Sequence, residues 1–527
     1  MSKTLDYLSP FPRSAGLLGK APSPSSVLAL ADRWRFGLWA FVALYYVAGF
    51  NGQWRMQPDA ALYLSIGKNL ATGRGFTYLG QPNRLAYPGW PLLICGVFKI
   101  FGTSSLVPVH VLMMLITGIS IACVYRLFLL HRDRPTAVVI SVGVGLTKAF
   151  FCYAFELWSD LPFAMGVLMF LAGYEAIVPV RKTGNESPKI QRHWYDWFLL
   201  TAGLVTAVSM RPTALPFVAA IALGLLVDTA RRRVRWSRLG IITATLAAIG
   251  VAFTLVTHRS LQATFGGVYL DYVHLELSGA SAGLLRHNIG HNLHDLFTWA
   301  ASDVLFQTRF GPVFNSLLSI VVLALGFGLF RHRAMWGFWF CFLLATIMLA
   351  QESLDRYFLP VLPLLVFAWW DEITGLARRI PRPAGDLLFL FLLCFGGIVN
   401  LTKCGGIVAQ QQTRPFLPRY DNGQYETVPA MAGYIHDHVP ADAIVIARAP
   451  FGRVLTFLSG RTVVSAADVT VPQAWAGRVF VLEPADDPSR LLIRDAQFKE
   501  DAPVFTAAPA ANHDWKATTL SLRPAHR

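Results

Sequence analysis

Gln57-Pro58-Asp59-Ala60-Ala61-Leu62-Tyr63 follows the first strongly apolar segment of the chain. It places an acid, Asp59, at the edge of what reads as a membrane. An ionisable side chain costs about 2.5–3.5 kcal/mol at the bilayer centre, so an acid held at such a boundary is a functional candidate. A solvated loop acid is the plainer reading of a lone aspartate. Which reading holds depends on what the rest of the chain puts beside Asp59.

The composition sets the class. Of 527 residues, 54% are hydrophobic and 15% charged, with mean hydropathy +0.45. Apolar runs of transmembrane length recur, which marks a polytopic α-helical membrane protein rather than a soluble domain. The net charge of +15 then carries no implication of nucleic acid, because the bases fall mostly in short loops between apolar runs. The six cysteines show no metal or redox spacing and read as buried small hydrophobes. Residues 1–35 read as a polar cytoplasmic tail with no cleavable signal.

Eleven spans are expected: Phe36–Trp54, Ser105–Leu130, Thr136–Phe155, Leu161–Val178, Trp197–Met210, Thr213–Val227, Leu239–Thr257, Val313–Phe330, Ala334–Ala350, Tyr357–Trp370 and Leu387–Leu401. Pro88–Phe101 is only about 21 Å as a helix, short for a crossing, and reads as interfacial or re-entrant. The charges then give the orientation. Sixteen Lys and Arg lie in the five proposed inner loops, against Arg211 and Arg356 in the three short outer ones. That asymmetry puts the N-terminus inside. It also puts Asp59, Glu156, Asp160, Arg211, Asp355 and Arg356 on one outer face, with long outer loops at 53–104 and 258–312. The transmembrane region is thus 36–401. From residue 402 to 527 strand and helix candidates alternate, Tyr425–His438, Ala443–Ala447, Phe451–Leu458 and Thr462–Ser465 first among them. These indicate a small extracytoplasmic α/β domain.

Carboxylates at a membrane–water edge serve as general base, metal ligand or helix cap. Ser159 or Asp160 as a cap of the helix starting near Leu161 explains Asp160 alone and leaves Asp59 unexplained. Arg55, Arg74, Arg84, Arg211 and Arg356 share the outer face. Guanidinium binds phosphate bidentately; anchoring to lipid headgroups is the plainer role for most of them. Arg211 and Arg356 adjoin apolar runs and are the strongest candidates. His287, His291 and His294 face away from an apolar stripe and read as a solvated helix face, with metal binding as the alternative. No HExxH, Walker A or GxSxG pattern is present.

These residues together resemble the GT-C class of membrane glycosyltransferases, most closely the bacterial relatives of protein O-mannosyltransferases and of the lipid A aminoarabinose transferase. The resemblance rests on Asp59 and Ala61-Leu62-Tyr63, Asn69-Leu70-Ala71-Thr72-Gly73-Arg74-Gly75, and Tyr87-Pro88-Gly89-Trp90-Pro91. Glu156-Leu157-Trp158-Ser159-Asp160-Leu161-Pro162, Met210-Arg211-Pro212 and Asp355-Arg356-Tyr357-Phe358-Leu359-Pro360 extend it, and tail segments carry it to about Ser465.

The resemblance implies transfer of a sugar from a polyprenyl-phosphate donor to an acceptor hydroxyl of a protein, lipid or glycan, with inversion, at the outer face of a bacterial inner membrane. It makes Asp59 the general base. Asp160, and behind it Glu156, orient the acceptor or hold a metal. Arg84, Arg211 and Arg356 bind the donor phosphate. Arg84 stands four residues before Pro88, and the double-proline form of the motif is absent. No obligatory cofactor is implied, and a divalent cation is optional. A transporter or flippase is the alternative; it would be expected to show mid-membrane charges and repeated halves, whereas here the charges gather at one face.

Overall fold

The computed structural model describes residues 24–83, 86–178, 193–231, 282–300, 311–349, 355–381, 384–413, 424–447, 452–465, 479–484, 490–496 and 519–523. Arg84 and the expected span Leu239–Thr257 lie outside them.

The described α-helices up to Gly328 are α1 Pro24–Arg33, α2 Arg35–Gly49, α3 Pro58–Ala71, α4 Gly89–Phe101, α5 Val107–Leu129, α6 Arg134–Gly145, α7 Lys148–Tyr153, α8 Asp160–Ile177, α9 Trp194–Met210, α10 Ala214–Ala230, α11 Ala282–Asp295 and α12 Pro312–Gly328. Next come α13 Ala334–Leu349, a 3-10 turn Asp355–Phe358, α14 Leu362–Arg379 and α15 Ala384–Thr413. Among the described residues four helices are long and apolar enough to cross a membrane: α5, α8, α12 with its following turn, and α15. Exposed Leu115, Ile119, Leu317, Ile320, Phe391 and Ile398 on α5, α12 and α15 are the surface an integral membrane protein turns toward lipid. By contrast α8 is buried along its whole length. A helix apolar on all sides belongs at the centre of a bundle.

Several expected spans differ in length. The first ends at Gly49, and Phe50–Gln57 runs without helix, through Gly52 at φ +68°. The expected span Thr136–Phe155 is broken. It becomes α6 and α7, parted at Leu146-Thr147, where the Thr147 side chain caps α7 by accepting from the Phe150 amide. The Lys148 amide donates to Asn400 Oδ1 on α15 at 3.0 Å, so a neighbouring helix takes up the break. The polar tail holds a helix, α1, from residue 24. Helix α15 runs twelve residues past Leu401, to Thr413. Helix α3 buries Ala60, Ala61, Leu62, Leu64, Ser65, Ile66 and Gly67 together.

Beyond α15 come α16 Gln424–His438, β3 Ile444–Ala447, α17 Gly452–Ser459, β4 Thr462–Ser465, β5 Val479–Pro484, β6 Arg490–Ala496 and β7 Thr519–Arg523, after a two-stranded hairpin (β1 Thr77–Tyr78, β2 Gln81–Pro82) early in the chain. Strand order is β4-β3-β5-β6-β7, parallel except for β5 against β6.

The end of the bundle far from Asp160 is tied by ion pairs. Arg333 is fully buried; its Nε donates to Glu175 Oε2 at 2.8 Å and its Nη1 to Asp228 Oδ2 at 3.4 Å. Arg132 pairs with Asp371, Arg331 with Glu372 and Arg134 with Asp32. Glu175 stands fifteen residues along α8 from Asp160, about 22 Å at helical rise.

Candidate active site

Asp59 lies in the first turn of α3, with Pro58 ahead of it at the helix start. Both choices suit that place. Proline gives up no needed amide there, and an acid meets the positive end of the helix dipole. Helix α3 is pressed onto α4, where a Cβ on Gly67 would fall 2.5 Å from Ile94 Cγ2. The Tyr87–Pro91 stretch then holds two other parts of the site. Buried Trp90 donates from Nε1 to the Leu157 carbonyl at 2.9 Å, fixing the loop before Asp160. Gly89 sits against Ser209, where a Cβ would meet the Ser209 oxygen at 2.8 Å. Ser209 is two residues before Arg211.

Asp160 and Arg211 meet because α8 and α9 touch backbone to backbone. A Cβ on Gly203 would lie 2.3 Å from the Phe170 amide nitrogen, and one on Gly166 2.6 Å from that of Ala207. A Cβ on Gly173 would lie 2.5 Å from the Asp196 carbonyl. Small residues at such a seam are what let membrane helices approach closely. The seam brings the start of α8 to the end of α9, and there Arg211 and Asp160 form an ion pair, the acid 3% exposed. Neither Ser159 nor Asp160 caps α8: Ser159 makes no side-chain cap bond and instead shares a hydrogen bond with the Tyr63 hydroxyl at 3.2 Å. The capping explanation of Asp160 is thereby set aside.

Asp59 is the open member of the group, its side chain 41% exposed. Arg356 Nη1 donates to its Oδ2 at 3.3 Å, and Arg453 Nη1, from α17, donates to its Oδ1 at 3.4 Å. Arg356 also stacks over Trp158 with 4.8 Å to the ring centroid, and Arg211 over Tyr357 at 5.1 Å. Tyr63 lies between the two acids; burial first, and the Asp59 charge after it, push its hydroxyl above its ordinary pKa. It stays protonated at any physiological pH. Three guanidiniums thus face two carboxylates around one mouth.

The structure brings together Asp59, Asp160, Arg211 and Arg356. Glu156 goes elsewhere. It is fully buried, its Oε1 4.0 Å from Arg55 Nη1, while Arg55 donates to the Cys152 carbonyl at 3.2 Å and lies over Phe155. Arg55 is 3% exposed, which corrects its reading as a headgroup anchor. Arg453 was not found by sequence reasoning. It stands 394 residues from Asp59 in a tail helix, and no local pattern marks it. His287, His291 and His294 are exposed on α11 and line an open groove with Arg286. Among the described residues no three His, Cys, Asp or Glu side chains gather as a metal would need.

No family model matches the chain, and no curated protein matches its sequence. Solved structures do. ArnT from Cupriavidus metallidurans in the apo state superposes with TM-score 0.51 and 13% identity, over 87% of this chain and 94% of that one. The fold is that of the GT-C glycosyltransferases. ArnT bound to undecaprenyl phosphate gives TM-score 0.51, 12% identity and coverage of 86% and 94%. The apo oligosaccharyltransferase of Archaeoglobus fulgidus gives 0.51 at 11% identity, over 83% of this chain and 65% of that one. At these identities the likeness is one of GT-C architecture, and the chemistry of this chain is argued from its own residues.

Proposed function

We propose that this chain is a membrane glycosyltransferase that moves a hexosyl or pentosyl group from a polyprenyl-phosphate donor to an acceptor hydroxyl, with inversion. The observation that carries this reading is an exposed carboxylate, Asp59, set between two guanidiniums at a helix N-terminus in a GT-C fold. That ArnT was crystallised with undecaprenyl phosphate supports a lipid phosphate as the donor's carrier. The acceptor hydroxyl loses its proton to Asp59 as its oxygen attacks the anomeric carbon. The bond from that carbon to the phosphate oxygen breaks, and the polyprenyl phosphate leaves with the electron pair. Arg211 and Arg356, joined by Arg84 as the resemblance implies, neutralise the charge that grows on the leaving phosphate. Asp160 and Glu156 act behind Asp59, Asp160 by fixing Arg211 and Glu156 by fixing Arg55.

In this reading the site faces the extracytoplasmic side of a bacterial plasma membrane. Residues 1–35 are cytoplasmic, 36–401 form the transmembrane region and 402–527 the outer domain. Acceptors are proteins, lipids or glycans with a free hydroxyl. The test is transfer by purified protein from radiolabelled polyprenyl-phosphate sugars, wild type against Asp59→Asn. Transfer abolished by the variant is expected; undiminished transfer by it overturns Asp59 as base. Lipid translocation without transfer from any donor would replace the reading with transport.

A further inference from the structure

We propose that Arg453, carried by the tail helix α17, is a donor-phosphate ligand that must leave Asp59 for the anion before Asp59 can act as base. The inference rests on the glycosyltransferase reading above and adds a residue and an order of events to it.

Around the mouth stand Asp59, Asp160, Arg211, Arg356 and Arg453. Asp160 is committed to Arg211 in a buried pair, so Asp59 alone faces two guanidiniums, one at each oxygen. With a guanidinium at each oxygen, Asp59 offers an acceptor hydroxyl no oxygen clear of a cation. The same pair is one positive charge in excess, and an anion of one or two charges entering the mouth competes with Asp59 for both. Guanidinium suits phosphate at least as well as carboxylate. Once the phosphate draws the arginines away, Asp59 keeps its place at the helix end with its oxygens open to the acceptor hydroxyl.

Geometry says which arginine can move. Arg356 is 12% exposed and stacked on Trp158. Arg453 is more open, at 22%. Its helix is seated on the stretch before α3 by the edge-on contact of Phe457 with Trp54, centroids 5.3 Å apart, and on α3 itself by Lys68 over the Phe457 ring at 5.7 Å. Seating α17 there brings the Arg453 guanidinium to Asp59 Oδ1. The tail therefore completes the cation set rather than merely lying above it.

Undecaprenyl phosphate without sugar serves as the probe, added to the full-length detergent-purified protein, with affinity read from tryptophan fluorescence. Arg453→Ala is expected to weaken binding about tenfold, and Arg453→Lys to recover part of the loss. Asp59→Asn is expected to tighten binding severalfold, because it removes the competitor for both arginines; a structural role for Arg453 would not produce that gain. Unchanged affinity in Arg453→Ala, with Arg356→Ala weakened, overturns the role of Arg453 and leaves the glycosyltransferase reading standing. Unchanged or weaker binding by Asp59→Asn overturns the competition. Wild type that does not bind the probe overturns both. Thermal melting of each variant alongside wild type separates lost binding from lost fold.

Discussion

At the scale of single residues, the two aspartates have different work. Asp59 is open to solvent and Asp160 closed, so their substitutions part in readout. Asp59→Asn keeps the fold and lowers kcat by about 10²–10⁴-fold, the worth of a positioned base, with donor KM not raised. Arg211→Ala strands a buried carboxylate and destabilises by about 3–5 kcal/mol, as breaking a buried pair does. Thermal melting measures this, and Asp160→Asn added to Arg211→Met recovers stability. Tyr63 supplies a pH test. Its pKa is raised in the fold above the ordinary 10.0, so the folded state holds a proton that the unfolded chain gives up. Its contribution is whole below pH 10 and is lost as pH rises through the folded value. Wild type therefore loses more stability between neutral and strongly alkaline pH than Tyr63→Phe, as denaturant titrations at each pH report.

At the scale of elements, the α8–α9 seam decides whether the site exists. Gly203→Val forces a branched side chain into backbone, and overpacking of this kind costs about 1–3 kcal/mol. A lowered melting temperature is expected, along with activity lost beyond the fall in folded protein, because Arg211 shifts from Asp160. Elements were also where sequence reading did best. Apolar runs gave α5, α8, α9 and α10 nearly residue for residue, and Arg211-Pro212 was correctly read as a break between two helices. It failed at Leu146-Thr147, where the apolar run continues through a break that the Thr147 cap and Asn400, on a helix far along the chain, make tolerable. Periodicity reports what a side chain wants to avoid, not which backbone amides a neighbour will satisfy. For the same reason Trp90 was visible as part of a motif, while its bond to the Leu157 carbonyl was not.

At the scale of the whole molecule, the face-by-face charge count held most of what was legible about the site. Asp59, Asp160, Arg211 and Arg356 are spread over some 300 residues of sequence and meet within a few contacts. Glu156 shared their side of the chain but turned inward to Arg55, and Arg453 came from a tail that charge counting treated separately. Sidedness bounds which residues can meet; packing selects among them. The orientation itself has a direct test. In a background lacking the six native cysteines, Arg74→Cys is expected to react with a membrane-impermeant maleimide applied from outside intact cells. Arg331→Cys is expected to react only after permeabilisation. The reverse pattern would invert the topology.

The glycine seam has a bearing on descent. Positions 166, 173 and 203 admit no growth of a side chain, whereas the lipid-facing residues of α5, α12 and α15 need only stay apolar. Mutational drift is therefore filtered unevenly along the chain. Two lineages can exchange nearly all of their outer helical surface and still keep these three positions small. Those positions, and the acid and arginine that the seam delivers, are the fixed points from which distant chains of this architecture are best put in register, even where little else in their sequences agrees.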